Sequence, residues 1–354
     1  MPSVTVPPPP TPYSSLRVLN RLDLTKAIPL AGPLTIYLEP TNICNFKCVY
    51  CPESLDNYKE VAGGRFQLSL DDFKAIAPQI KALGTVKTLN FYMMGEPFVN
   101  KQLTQFVSIA KAATISERVI VTSNGTLVRP HIYKDICDSG LDYLRVSIYG
   151  SNEDAHKANT QSPFRLSLIK ENILGLKQFR DQLGQRRPFI YIKMIESPNP
   201  DDNVEFRRMF AEVGDELFIE PAMNWNDPEN NNFLGAAKDT PLNKQYFSAK
   251  KEVCPFPFYT LVIHSDLRVS VCCVDWNKQA VVGNLRHESL SDIWKGDNLR
   301  AFQQKHLQRK RHELSGCSTC TYLHTAPDNI DSLTDSVFAE RASAVGAPSH
   351  REAK

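Results

Sequence analysis

The stretch Thr41-Asn42-Ile43-Cys44-Asn45-Phe46-Lys47-Cys48-Val49-Tyr50-Cys51 puts three thiols on one short C-x3-C-x2-C loop. Three thiolates so placed hold three irons of a cubane [4Fe–4S] cluster and leave the fourth iron open to an exogenous chelator. An open metal position serves chemistry, whereas a structural site is closed. The alternative is zinc completed by a distant fourth ligand, but zinc favours paired C-x2-C halves and fits a triple in one loop poorly. The loop follows directly on a strand pattern over 34–39. Functional loops of a barrel lie at the C-terminal ends of its strands.

Outward from that loop the chain alternates. Strand patterns fall at 34–39, 87–92, 118–122, 143–148, 189–195 and 216–220, each rich in β-branched or aromatic residues and bounded by turn signals. Helix patterns fall between them, at 70–83, 101–113, 130–139, 166–183 and 203–213. Ser69 is placed to cap the first helix, and Pro130 fits the first position of the third. Right-handed crossovers curl such a βα array into an α/β fold, a partial (β/α)6 TIM-like barrel. The expected division is an N-terminal arm at 1–33, Pro-rich from Pro7 to Pro10 and poorly ordered, a barrel at 34–222 and a linker at 223–253. A small cysteine-bearing domain at 254–322 and a polar tail at 323–354, with one helix or none, complete it.

The cysteine loop, with aromatic Tyr50 just before its last thiol, resembles that of the radical S-adenosylmethionine superfamily. Met94-Gly95-Glu96-Pro97 is similar to the family's GGE-type motif, with Met94 for the first glycine. Ser123-Asn124-Gly125 resembles its SNG segment, and Ser147-Ile148-Tyr149-Gly150 its SxxG segment. Each is weak alone, but they fall in order at successive strand ends. The resemblance implies that Cys44, Cys48 and Cys51 hold the catalytic cluster and that its open iron chelates the methionine amino and carboxylate groups. Reduction then releases a 5′-deoxyadenosyl radical. At Gly95-Glu96 a carboxylate suits the ligand's ammonium, Asn124 and Ser147 suit its carboxylate and ribose, and Tyr50 suits the adenine.

Of nine cysteines, Cys254, Cys272, Cys317 and Cys320 make a second set, spaced C-x17-C-x44-C-x2-C. Four thiolates close the coordination of one [4Fe–4S] cluster, and a four-cysteine zinc is the alternative. Val282-Gly283-Asn284-Leu285 and Ser289-Leu290-Ser291-Asp292-Ile293-Trp294 lie between them. This pattern resembles the twitch/SPASM extension of radical S-adenosylmethionine enzymes. No cysteine follows Cys320, so the resemblance implies the shorter, one-cluster twitch type. Cys273 neighbours Cys272 and points to the other face if the pair lies on a strand. The spacing resembles that of one-cluster twitch dehydrogenases, which implies Cys272 as the ligand. Cys137 reads as a buried core thiol.

Composition narrows the function. A net charge of +2 gives no reason to expect a nucleic-acid partner, and no apolar run approaches a membrane span. The first residues lack a secretory pattern, so the expected location is the cytoplasm. A closed auxiliary cluster suits electron transfer. The first expectation is therefore dehydrogenation of a sugar- or aminocyclitol-type small molecule, with Asp275 as candidate base and a flavodoxin- or ferredoxin-type reductant. The second is modification of a ribosomally made peptide with a separate recognition protein. An iron–sulfur carrier without catalysis is disfavoured by the open iron position, and radical methylation by the lack of a cobalamin-binding domain.

Overall fold

Six β-rich segments form parallel strands in a computed structural model, which describes residues 11–16, 21–84, 86–225, 233–248 and 250–346. They are β1 (Thr35–Leu38), β2 (Val86–Phe91), β3 (Ser116–Ser123), β4 (Tyr143–Ile148), β5 (Phe189–Ile195) and β6 (Glu216–Glu220). All of β4 is buried, as expected of a strand covered on both faces. Its Leu144, Val146 and Ile148 join the main apolar core, while Arg145 and Ser147 border an internal cavity, the lumen.

Helices α1 (Leu70–Ala82), α2 (Leu103–Ala112), α3 (Tyr133–Asp138), α4 (Glu153–Thr160), α5 (Leu166–Gln182) and α6 (Pro200–Phe210) run between the strands. Ser69 caps α1, its hydroxyl accepting from Asp72 N at 3.0 Å. Buried Phe73, Ile76, Ala77 and Ile80 form the apolar stripe of α1 at helical spacing. The third helix is shorter than its pattern predicts because Pro130–Ile132 winds as a 3-10 turn. The sequence reading has no helix at α4, which buries only His156 and Thr160 and so shows no apolar stripe.

The sheet has nine strands in the order β6-β5-β4-β3-β2-β1-β7-β8-β9. The segment expected as a separate small domain therefore extends the barrel sheet. Its β7 (Thr260–Ile263) lies parallel on the other edge of β1, from Thr35 opposite Thr260 to Leu38 opposite Ile263. The antiparallel strands β8 (Arg268–Ser270) and β9 (Val281–Asn284) follow.

Two further expectations, the arm and the linker, differ from the structure, and the tail takes the helical one of its two alternatives. The arm expected to be poorly ordered is docked where it is described: Tyr13 packs on Tyr143 and Tyr191, with Arg145 4.8 Å over its ring. The run Pro7 to Pro10 lies outside the described residues. The expected linker holds a helix, α7 (Pro241–Ser248). The tail holds α10 (Asp335–Gly346), following α8 (Leu290–Lys295) and α9 (Asp297–Leu307) of the cysteine-bearing segment. Phe338 of α10 meets Phe258, and Arg341 donates to Thr25 O and Ile28 O. Both chain ends thus share a second core with Val253 and Phe256.

Asn100 ties the first cysteine loop to this frame. Its buried amide donates to Pro40 O and Leu68 O, both at 2.9 Å. Asn100→Ala strands those two acceptors and is expected to cost about 1–3 kcal/mol in anaerobic urea unfolding.

Candidate active site

Cys44, Cys48 and Cys51 line one cavity of about 650 Å³ together with Tyr50, Gly95, Glu96, Asn124 and Ser147. The fold thus brings the sequence-expected residues of the first site to one place. The loop is braced from both sides. Lys47 N and Val49 N donate to Thr160 O and Asn159 O of α4, at 3.0 and 2.9 Å. On the other side Arg65 reaches Asn42 O at 2.7 Å and pairs with Glu53, while its guanidinium lies 4.4 Å over the Tyr58 ring. The three thiols are free. Burial pushes all three up, Cys51 to about 12, and the charge of Glu96 adds to the rise at Cys44. Buried thiols that resist ionisation while crowded by acidic neighbours suit a multinuclear cation that makes them thiolates.

The strand ends are stitched to this loop. Gly95 has φ +74°, and a Cβ there would sit 2.4 Å from Thr41 O, so only glycine allows the approach. Glu96 accepts from Asn124 N at 2.7 Å, Ser123 Oγ at 2.8 Å and Phe98 N at 3.1 Å. Burial, only partly opposed by these donors, pushes its carboxyl up to about 7. A buried carboxylate in that state is suited to an ammonium partner. The Asn124 amide is largely committed within the protein: Nδ2 donates to Asn45 Oδ1 at 2.7 Å, and Oδ1 accepts from Thr126 N and Oγ1. Its visible role is to hold the cysteine loop. The Tyr50 ring lies nearly parallel to Tyr149 at 6.3 Å, and its carbonyl accepts from Trp225 Nε1.

The sequence reading missed the charged lumen. Arg145 on β4, Lys193 on β5 and Glu220 on β6 border the same cavity. Lys193 pairs with Glu220, and Arg145 Nη2 stands 3.7 Å from the same carboxylate. Arg145 Nη1 donates to Tyr92 Oη at 2.8 Å. A signal was present: a charge inside an otherwise apolar buried strand, two residues before Ser147, must share the face of that serine. Glu39 was missed as well. It is 1% exposed and joins three elements, accepting from Met94 N, Ser265 N and Ser265 Oγ.

The second cysteine set borders a separate small cavity with His306 and Arg311. Burial and mutual charge push Cys254 and Cys272 far up and Cys317 to about 12, and burial raises Cys320. Arg311 Nη1 holds the Cys317 and Cys320 carbonyls at 2.6 and 3.0 Å. Four thiolates round one cavity can close the coordination of one cubane cluster. Cys273 turns the other way, into the large cavity, with Sγ 3.4 Å from Tyr322 Oη.

Asp275, expected as a base, does not reach the large cavity. It is 2% exposed, accepts from Gln279 N at 2.8 Å and Ala280 N at 2.9 Å, and borders the small cavity. Its visible role is to hold the turn that follows Cys272.

Residues 38–178 match the radical SAM superfamily model, and residues 254–321 match the SPASM iron–sulfur cluster-binding domain. The chain is a radical SAM enzyme with a SPASM-type domain, and its cofactors are S-adenosyl-L-methionine and [4Fe–4S] clusters. It is 22% identical over 285 residues to the S-adenosyl-L-methionine-dependent 2-deoxy-scyllo-inosamine dehydrogenase of Niallia circulans, covering 80% of this chain and 91% of that one. It is 21% identical over 323 residues to the tungsten-containing aldehyde ferredoxin oxidoreductase cofactor-modifying protein of Pyrococcus furiosus, covering 81% and 86%. Among solved structures, BtrN in complex with AdoMet and 2-DOIA has a TM-score of 0.51 at 18% identity, covering 81% and 92%. Streptococcus suis SuiB bound to precursor peptide SuiA has a TM-score of 0.61 at 14% identity, covering 89% and 77%. These likenesses establish the fold. No helix among the described residues is long and apolar enough to cross a membrane.

Anaerobic reconstitution is expected to load about eight irons per chain, and changing Cys44, Cys48 and Cys51 together to Ala should leave about four. Stoichiometric zinc beside a single cluster in the unaltered protein would overturn the second site. Glu96→Ala should weaken S-adenosylmethionine binding by about 1.5–3 kcal/mol, tenfold or more in Kd, with iron content retained. Equilibrium dialysis measures it, and unchanged affinity would remove Glu96 from the ligand's ammonium.

Proposed function

We propose that the protein oxidises a carbinol of a sugar- or aminocyclitol-type small molecule to a carbonyl, with the auxiliary cluster as electron acceptor. The observation that carries this reading is the thin wall between the two cavities. Tyr322 borders both, and the successive residues Cys272 and Cys273 border one each. When bound, S-adenosylmethionine and its cluster supply a 5′-deoxyadenosyl radical, and the auxiliary cluster supplies a one-electron acceptor. The carbinol carbon gives up a hydrogen atom, and the hydroxyl then loses its proton and the carbon one electron. Thus C–H and O–H break as C=O forms. A site closed by four thiolates has no position for a substrate, so its part in the reaction is electronic.

The residues of the large cavity suit a hydroxylated molecule. Arg145, Lys193 and Tyr92 offer donors, and Glu220 offers a carboxylate that takes the place of Asp275 as proton acceptor. The cavity volume, about 650 Å³, lies in the roughly 300–1,000 Å³ range of small-molecule sites. The likeness to an aminocyclitol dehydrogenase supports the same class. A flavodoxin- or ferredoxin-type protein would supply the initiating electron.

Deuterium at the carbinol carbon is expected in 5′-deoxyadenosine. Cys317→Ala with Cys320→Ala should preserve cleavage of S-adenosylmethionine and stop product formation, with circular dichroism checking that the segment still folds. Candidate sugars, aminocyclitols and peptides are screened together by mass spectrometry for loss of two hydrogens. Cross-linking, epimerisation or excision in a peptide, with no small molecule oxidised, would replace this reading with peptide modification.

A further inference from the structure

His306 lies in the last turn of α9 and is 1% exposed. It borders the same small cavity as Cys254, Cys272, Cys317 and Cys320. Both of its ring nitrogens are buried without a hydrogen-bond partner among the described residues. The ring packs on Phe302, one turn earlier, with centroids 5.3 Å apart. An apolar side chain would fill that place without penalty, whereas a stranded buried polar group costs about 1–3 kcal/mol. The unmet nitrogens therefore call for a partner that the polypeptide does not provide.

The neighbours narrow what that partner is. Burial, with a smaller push from the charge of Arg311, brings the imidazole down to about 4, and Arg311 itself carries donors only and already serves two carbonyls. Asp275, the carboxylate bordering this cavity, accepts from Gln279 N and Ala280 N. What remains is the space the four thiols surround. The thiolate and sulfide sulfurs of a [4Fe–4S] cluster there are hydrogen-bond acceptors, and a neutral imidazole has one N–H to give.

We propose that His306 donates an N–H···S hydrogen bond to the auxiliary cluster and thereby raises its reduction potential. Reduction adds negative charge to the cluster, so a donor aimed at sulfur favours the reduced form. His306 is a positioning and tuning residue and not a ligand, because four thiolates already complete the coordination. The inference requires a cluster at these four thiols. It does not require the dehydrogenase reading.

The test is a redox titration followed by electron paramagnetic resonance on the full-length chain carrying Cys44→Ala, Cys48→Ala and Cys51→Ala, so that the auxiliary cluster alone is observed. His306→Leu should keep about four irons and make reduction roughly tenfold less favourable, a shift of about 59 mV to more negative potential for a one-electron couple. His306→Gln, which restores an N–H donor, should recover most of that shift. An unchanged potential in His306→Leu at full iron content would overturn the proposal. So would loss of the cluster in both variants, which would make His306 a ligand or a folding element.

Discussion

Strand β1 is shared, and the rest of the architecture depends on that sharing. It hydrogen-bonds in parallel to β2 on one edge and to β7 on the other. The strand that leads into the first cysteine loop thereby also carries the hairpin that leads into the second cysteine set. The joint is fixed at its C-terminal end by Glu39, whose carboxylate binds Met94 N beyond β2 and Ser265 N and Oγ beyond β7. Burial alone would raise the pKa of Glu39, but the nearby His264 and the Ser265 donors outweigh it and hold it low. A buried carboxylate whose oxygens are claimed by separate elements fixes their relative position, because losing any partner exposes an uncompensated charge. The distance between the two cysteine sites therefore follows from sheet register and not from a flexible interdomain hinge.

Much of this was legible in the sequence because it rests on local signals. The six parallel strands announce themselves through short β-branched runs, and α1 through its cap and its 3.6-residue stripe. The cysteine spacing states its own chemistry. What was not legible depends on contacts between distant segments. Helix α4 has almost no apolar face, since its work is to present Thr160 O and Asn159 O to the cysteine loop. Residues 254–322 read as a domain apart because nothing local reveals that β7 pairs with β1. Asp275 looked like a base because it follows Cys272, but its carboxylate turns back onto Gln279 N and Ala280 N. The N-terminal arm looked loose because the partners of Tyr13, Tyr143 and Tyr191, lie far away in sequence.

Between the two cavities stands a wall with few members, and it constrains what the enzyme can do. Tyr322 stacks on Phe256 at 4.9 Å, its backbone N donates to Cys320 Sγ at 3.3 Å, and its hydroxyl meets Cys273 Sγ. One residue thus touches, through its backbone, a thiol of the second set and, through its side chain, a thiol of the large cavity. Cys272 and Cys273 lie in the turn that follows β8, where Asp275 N donates to Cys272 O at 3.2 Å, and they border opposite cavities. Molecules cannot cross such a wall without unpacking it, but an electron can. In the proposed reaction, the substrate radical and the acceptor are kept chemically apart and electronically close. The base must then come from the substrate's side, which is why Glu220, held between Lys193 and Arg145 in the lumen, suits that role and the carboxylate beside the second cysteine set does not.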